Sequence, residues 1–209
     1  ALPASGRGCH RGSRTADATA AGATATTSRA EHSSSVTEPG MRWGLNGGWP
    51  VRMPEYDSLD ATALAGLVER GEVTAVELLE AALERADQRN PRLNAIVTRF
   101  DDEARRRGSS ALPKGPFTGV PFLLKDLMTA WKGHPLTGAS RLGAGFVPDF
   151  DSEATRRLKA AGLVLFGLTN SPELGILAHT EPVLRGPTRN PWNPAHTPGG
   201  SSGGSAAAV

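Results

Sequence analysis

Cysteine is nearly absent from this 209-residue chain. Cys9 stands alone, so no internal disulfide and no cysteine-based metal site can form. Aromatic residues make up only 5%, with a single tyrosine, which is little for a self-sufficient core of this length. Neither sign of charge is in excess: 23 Lys and Arg stand against 21 Asp and Glu, a formal net charge of +2. Without a Lys/Arg cluster, that balance gives no nucleic-acid footprint, and no nucleic-acid partner is expected. No apolar run approaches the ~20 residues of a membrane-spanning helix, so no membrane partner is expected either. The chain reads as cytoplasmic. His134, His179 and His196 are too scattered to suggest a metal site, and neither a metal nor a cofactor is expected.

What is present divides at about residue 52. Residues 1–52 include Thr15-Ala16-Asp17-Ala18-Thr19-Ala20-Ala21-Gly22-Ala23-Thr24, a low-complexity stretch with neither helical nor strand periodicity. Such a stretch buries too little apolar surface to offset its ordering entropy, so disorder is expected. A signal peptide would need an apolar segment that is missing. Arg7, Arg11, Arg14 and Arg29 among Ser and Thr resemble a transit peptide, but Asp17, Glu31 and Glu38 count against one. The preferred reading is upstream sequence translated ahead of a start at Met53 or Met41.

Order is expected from Asp57 onward. Asp60 can cap a short helix with Leu64, Leu67 and Val68 on one face, closed by Gly71. Thr74-Ala75-Val76-Glu77 is a capping box opening a helix of about four turns. Val76, Leu79, Leu83 and Ala86 recur on one face, and Asn90-Pro91 is expected to stop it. Leu93 to Phe100 reads as a strand, and the charged Asp101 to Arg107 as a solvated helix.

An α/β unit follows. Gly119-Val120-Pro121-Phe122-Leu123-Leu124 reads as a buried strand that ends in Lys125-Asp126. After a polar loop, Asp151-Ser152 caps a helix holding Ala154, Leu158 and Ala161, closed by Gly162. Leu163-Val164-Leu165-Phe166-Gly167 is a second buried strand, parallel to the first because a helix crosses between them. Ser171-Pro172-Glu173 is expected to start a further short helix, and Thr180 to Pro198 is loop. At the end of the chain, Gly199-Gly200-Ser201-Ser202-Gly203-Gly204-Ser205 precedes Ala206-Ala207-Ala208, with Ser205 the expected cap of a last helix.

Two stretches carry candidate chemistry. Ligand sites in parallel sheets lie beyond the carboxyl ends of strands, where Lys125 falls. Desolvation there would favour the neutral amine, a general base. The alternative is a surface lysine paired with Asp126. The Gly/Ser run brings hydroxyls and backbone N–H groups to one place, because glycine lets other groups approach the main chain closely. A flexible linker and a phosphate cradle are its alternatives. A cradle would call for a closing lysine, and the run has none.

Four stretches in order resemble the amidase signature family. They are Gly119 to Asp126, Gly167-Leu168-Thr169-Asn170-Ser171-Pro172-Glu173, Gly186-Pro187-Thr188-Arg189-Asn190-Pro191-Trp192-Asn193, and Gly199 to Ser205. The resemblance spans Met53 to Val209 and implies the N-terminal part of an α/β fold, a mixed sheet surrounded by helices. It implies hydrolysis of carboxylic amides through a Ser-Ser-Lys triad and an acyl-enzyme. Lys125 matches the general base. Ser201 matches the middle serine, which relays the proton and follows a cis peptide bond. Gly200, Ser202, Thr169 and Asn170 are expected to support this loop, and Asn190 belongs with them; loop capping is the alternative for Thr169, Asn170 and Asn190. Trp192 is expected to be a packing anchor. In the family the nucleophile lies on the order of two dozen residues beyond the middle serine. The resemblance places it at neither Ser202 nor Ser205, so the nucleophile is expected to be absent and the chain alone inactive. The expected partner is a small-molecule amide, linear or cyclic, with a homo-oligomer for the full-length protein. The amidotransferase subunit that releases ammonia from glutamine for charged tRNA is the alternative within the family. A non-catalytic fragment and a nucleotide-binding module are alternatives outside it. Thr129-Ala130-Trp131-Lys132-Gly133-His134-Pro135 shows the least likeness, and substrate choice is not read from it.

Overall fold

The structure is a computed structural model that describes residues 53–209. The expectations for residues 1–52 lie outside the described residues. Five α-helices and three strands are described: α1 (Ala61–Glu69), α2 (Ala75–Leu93), β1 (Ile96–Arg99), α3 (Asp101–Gly108), β2 (Pro121–Lys125), α4 (Glu153–Ala160), β3 (Val164–Thr169) and α5 (Gly203–Ala208).

The two leading helices form as their caps dictate. The Asp60 carboxylate accepts from the Ala63 N–H at 2.8 Å. Thr74 and Glu77 satisfy each other's backbone N–H groups in the full capping box. On α2, Leu79, Leu83 and Ala86 are buried with Ile96, Val164 and Phe166, while Val76 is only half-buried. Each fully buried leucine contributes about 1.5–3 kcal/mol of transfer free energy. That face fixes α2 to the sheet.

Asn90-Pro91 does not stop α2. The helix runs on to Leu93 and ends at Asn94 in the left-handed region, φ 50°. Proline lacks only one donor, and so close to the end that loss is tolerable. The Asn90 side chain reaches past the end, donating to Ile96 O at 2.9 Å and accepting from Ala95 and Ile96 N–H. The strand expected from Leu93 therefore begins only at Ile96.

The sheet order is β1-β3-β2, with β3 antiparallel to β1 and parallel to β2. The parallel pair follows from the crossover, and β1 makes the sheet mixed. All six residues of β3 are buried, as expected of a central strand covered on both faces. α3 has its acidic residues in the first turn and its basic ones in the last, the order its dipole favours. In α4, capped by Ser152, Thr155 is the buried residue and Ala154 is exposed, while Leu158 is half-buried against the core.

Two further expectations fail locally. Ser171-Pro172-Glu173 opens no α-helix, only a single 3-10 turn over Glu173–Gly175, because Leu174 turns left-handed at φ 51°. α5 starts at Gly203 with Ser202 in the cap position, so Ser205 lies inside the helix and does not cap it.

Candidate active site

Parallel pairing brings the carboxyl ends of β2 and β3 to one edge, with Lys125 in register with Thr169. The chain then departs into loops, and the Gly/Ser run returns across that edge. Two close approaches set its path. A Cβ at Gly204 would lie 2.5 Å from Asn170 O and 2.7 Å from Ala95 O, so only glycine lets α5 sit on the strand ends. A Cβ at Gly200 would lie 2.8 Å from Leu177 O. The run is thus neither a linker nor a free loop.

In that position Ser201 Oγ lies 2.8 Å from Lys125 Nζ, and Ser202 Oγ lies 3.1 Å from it. The Gly200–Ser201 peptide bond is cis. Lys125 is half-buried, and desolvation holds its ammonium below the usual lysine range. Asp126 does not pair with it. Its carboxylate is fully buried and accepts from the Thr137 N–H at 2.7 Å and from the Thr137 hydroxyl. Strand alternation turns the two side chains apart.

Thr169 and Asn170 lie beneath the loop, both fully buried. Thr169 Oγ1 is 2.8 Å from Ser205 Oγ and donates to Leu124 O at 3.2 Å. The Asn170 side chain donates to Gly186 O and Thr188 Oγ1, and the Asn170 main-chain carbonyl accepts from Gly204 N–H at 3.1 Å. Asn190 accepts from Trp192 N–H in its own turn. Trp192 is 95% exposed and anchors nothing among the described residues. Its short loop is held by polar turns, in which the Asn190 and Asn193 side chains accept from the Trp192 and Ala195 N–H groups.

Sequence reasoning missed the partners of three hydroxyls here. Thr180, fully buried, donates to Gly199 O at 2.8 Å, and Thr188, nearly so, donates to Asn94 O at 2.8 Å. Ser205 ties α5 to β3. Isolated hydroxyls in a proline-dense loop carry no periodicity, and their partners are distant in sequence. Among the described residues, no group of three or more His, Asp or Glu could hold a metal ion, and no helix is long and apolar enough to cross a membrane.

Comparison with known proteins gives the family and the fold. The family model described as Amidase matches residues 77–209. The chain is 47% identical over 152 residues to the 6-aminohexanoate-cyclic-dimer hydrolase of Paenarthrobacter ureafaciens, covering 72% of this chain and 30% of that protein. It is 44% identical over 164 residues to a Glutamyl-tRNA(Gln) amidotransferase subunit of Salinispora arenicola, covering 75% and 33%. The solved structure of 6-aminohexanoate cyclic dimer hydrolase complexed with substrate matches with a TM-score of 0.69 at 46% identity, covering 72% of this chain and 31% of that one. The chain thus spans 30% to 33% of the length of these curated relatives. With the motifs in order, a mixed sheet beneath them and the family model over most of the described residues, the chain belongs to the amidase family.

Proposed function

We propose that this chain supplies the base and the proton relay of an enzyme that hydrolyses carboxylic amides through an acyl-enzyme. One observation carries the reading: Lys125 Nζ lies 2.8 Å from Ser201 Oγ at the carboxyl ends of two parallel strands. In the reaction, neutral Lys125 takes the hydroxyl proton of Ser201, and Ser201 takes that of the nucleophilic serine. The nucleophile bonds to the amide carbon, and backbone N–H groups stabilise the oxyanion. As the C–N bond breaks, the same proton returns through Ser201 to the leaving amine. Water then repeats the sequence on the ester and releases the acid. Ser202 offers Lys125 a second hydroxyl, Gly200 gives the loop its clearance, and Thr169 and Asn170 hold it from below. The nucleophile is assigned to none of the described residues, so this chain alone is expected to be inactive.

Linear or cyclic amides of small molecules are the leading substrates, supported by the similarity to the 6-aminohexanoate-cyclic-dimer hydrolase. The similarity to the Glutamyl-tRNA(Gln) amidotransferase component supports a second reading, ammonia release from glutamine alongside a tRNA-binding partner. Ammonia release from glutamine, measured against hydrolysis of a cyclic amide, separates the two.

The test is Lys125→Ala in the intact enzyme. Turnover should fall by about 10²–10⁴-fold, the range for losing a general base, while the far-UV circular dichroism is kept. Because desolvation lowers the Lys125 pKa, activity of the parent enzyme should rise with pH, with a midpoint below that of an ordinary lysine. Unchanged turnover in Lys125→Ala removes the lysine from this role.

A further inference from the structure

Asp126 is fully buried, yet the reaction above gives its carboxylate no task. A buried carboxylate is costly unless hydrogen bonds compensate, and here both partners come from Thr137. They close the loop that leaves β2 directly after Lys125.

Beyond Thr137, which is itself buried, the chain turns left-handed at Gly138 and Ala139, φ 58° and 54°. The Thr137 hydroxyl also accepts from the Ala139 N–H at 3.1 Å, so one side chain fixes both ends of the turn. The turn presents two groups to a second segment. Gly138 O accepts from the Leu174 N–H at 2.8 Å, and Ser140 Oγ donates to Glu173 Oε1 at 2.7 Å. Leu174, like Ala139, is held left-handed, a conformation that a bulky residue keeps only where its surroundings impose it. The next residue, Gly175, packs tightly on Leu127, and a Cβ there would stand 3.8 Å from Ser201 Cβ. The contacts run from the residue after Lys125, through two turns, to Gly175 beside Ser201.

We propose that Asp126, Thr137, Ser140 and Glu173 form a brace that keeps the Ser201 loop in register with Lys125, with Asp126 as its positioning residue. The proposal rests on the reading of Lys125 and Ser201 as base and relay. The brace fixes two left-handed turns that would otherwise relax, and with them the position of Gly175 beside Ser201. A Ser201 loop freed from the brace would lift from Lys125 and admit water to the amine.

The experiment follows the amine of Lys125 in the full chain. The protein is treated with limiting acetic anhydride from neutral to alkaline pH, and acetylation at Lys125 is quantified by peptide mass spectrometry. Asp126→Ala and Glu173→Ala should shift the midpoint for Lys125 upward, toward that of an ordinary lysine, by about half a pH unit or more, because water reaches the ammonium. Glu173→Gln, which still accepts from Ser140, should keep the parent midpoint. Asp126→Ala removes a buried group and could unfold the chain, which circular dichroism detects. Glu173 is exposed, so its two variants keep the test open. A parent midpoint in Glu173→Ala overturns the brace, and so does an equal shift in Glu173→Ala and Glu173→Gln. Neither result touches the proposed hydrolysis, which stands or falls on turnover of Lys125→Ala.

Discussion

In α2 the capping partners lie three residues apart, whereas Ser201 meets Lys125 across 76 residues of chain. The two regions are specified differently. The helical scaffold over residues 61–93 is built from local signals: an aspartate cap, a capping box, and leucines at helical spacing over a shared core. The site is built from returns of the chain. Gly200 and Gly204 leave room for backbone from Leu177, Ala95 and Asn170. Thr169, Thr180 and Thr188 donate or share hydrogen bonds with partners from other segments. A segment held by its own sequence tolerates change elsewhere, while one held by distant partners loses its geometry when any partner moves.

Substitutions in each region sharpen that contrast. Leu79→Ala, at a fully buried core position, should cost about 2–5 kcal/mol of unfolding free energy in a urea titration. Its effect should be global, with the Lys125 acetylation midpoint kept while the protein stays folded. Gly204→Ala should cost about 1–3 kcal/mol, because the new methyl meets backbone atoms that cannot rotate away. Unlike the core change it should move the Lys125 midpoint, since α5 must lift off the strand ends. An unshifted midpoint in that variant would make the contrast between the regions false. Thr74→Ala should cost about 1 kcal/mol, the usual worth of an N-cap, and leave Lys125 untouched.

Much of the scaffold is legible because its causes are adjacent in sequence. Asp60, the Thr74–Glu77 pair, Ser152 and the apolar strand 121–124 each announce an element within a few residues. The failures are equally specific. Pro91 suggests a helix end, but the Asn90 side chain, wired to Ala95 and Ile96, carries the helix past it. Ser171-Pro172-Glu173 has the composition of a helix start, yet Leu174 is drawn left-handed where its N–H meets Gly138. Ser205 has the composition of a cap, but Thr169 claims its hydroxyl from within the helix. Trp192, the residue best suited to an anchor by size, stands in solvent. In the second and third cases a partner outside the local window decided the outcome.

The sequence by itself determined the capped starts of α1, α2 and α4, the two parallel strands, and the motifs that carry the likeness to the amidase family. Local propensity and apolar spacing act within a few residues and need no fold to be read. Only the tertiary structure decided that the Lys125 amine faces hydroxyls while its neighbour Asp126 is sealed against Thr137. Which face of a strand meets which returning loop depends on register and close packing across the whole sheet. Those are properties of the assembled chain, in which a methyl group at Gly204 would be enough to part α5 from the ends of the strands.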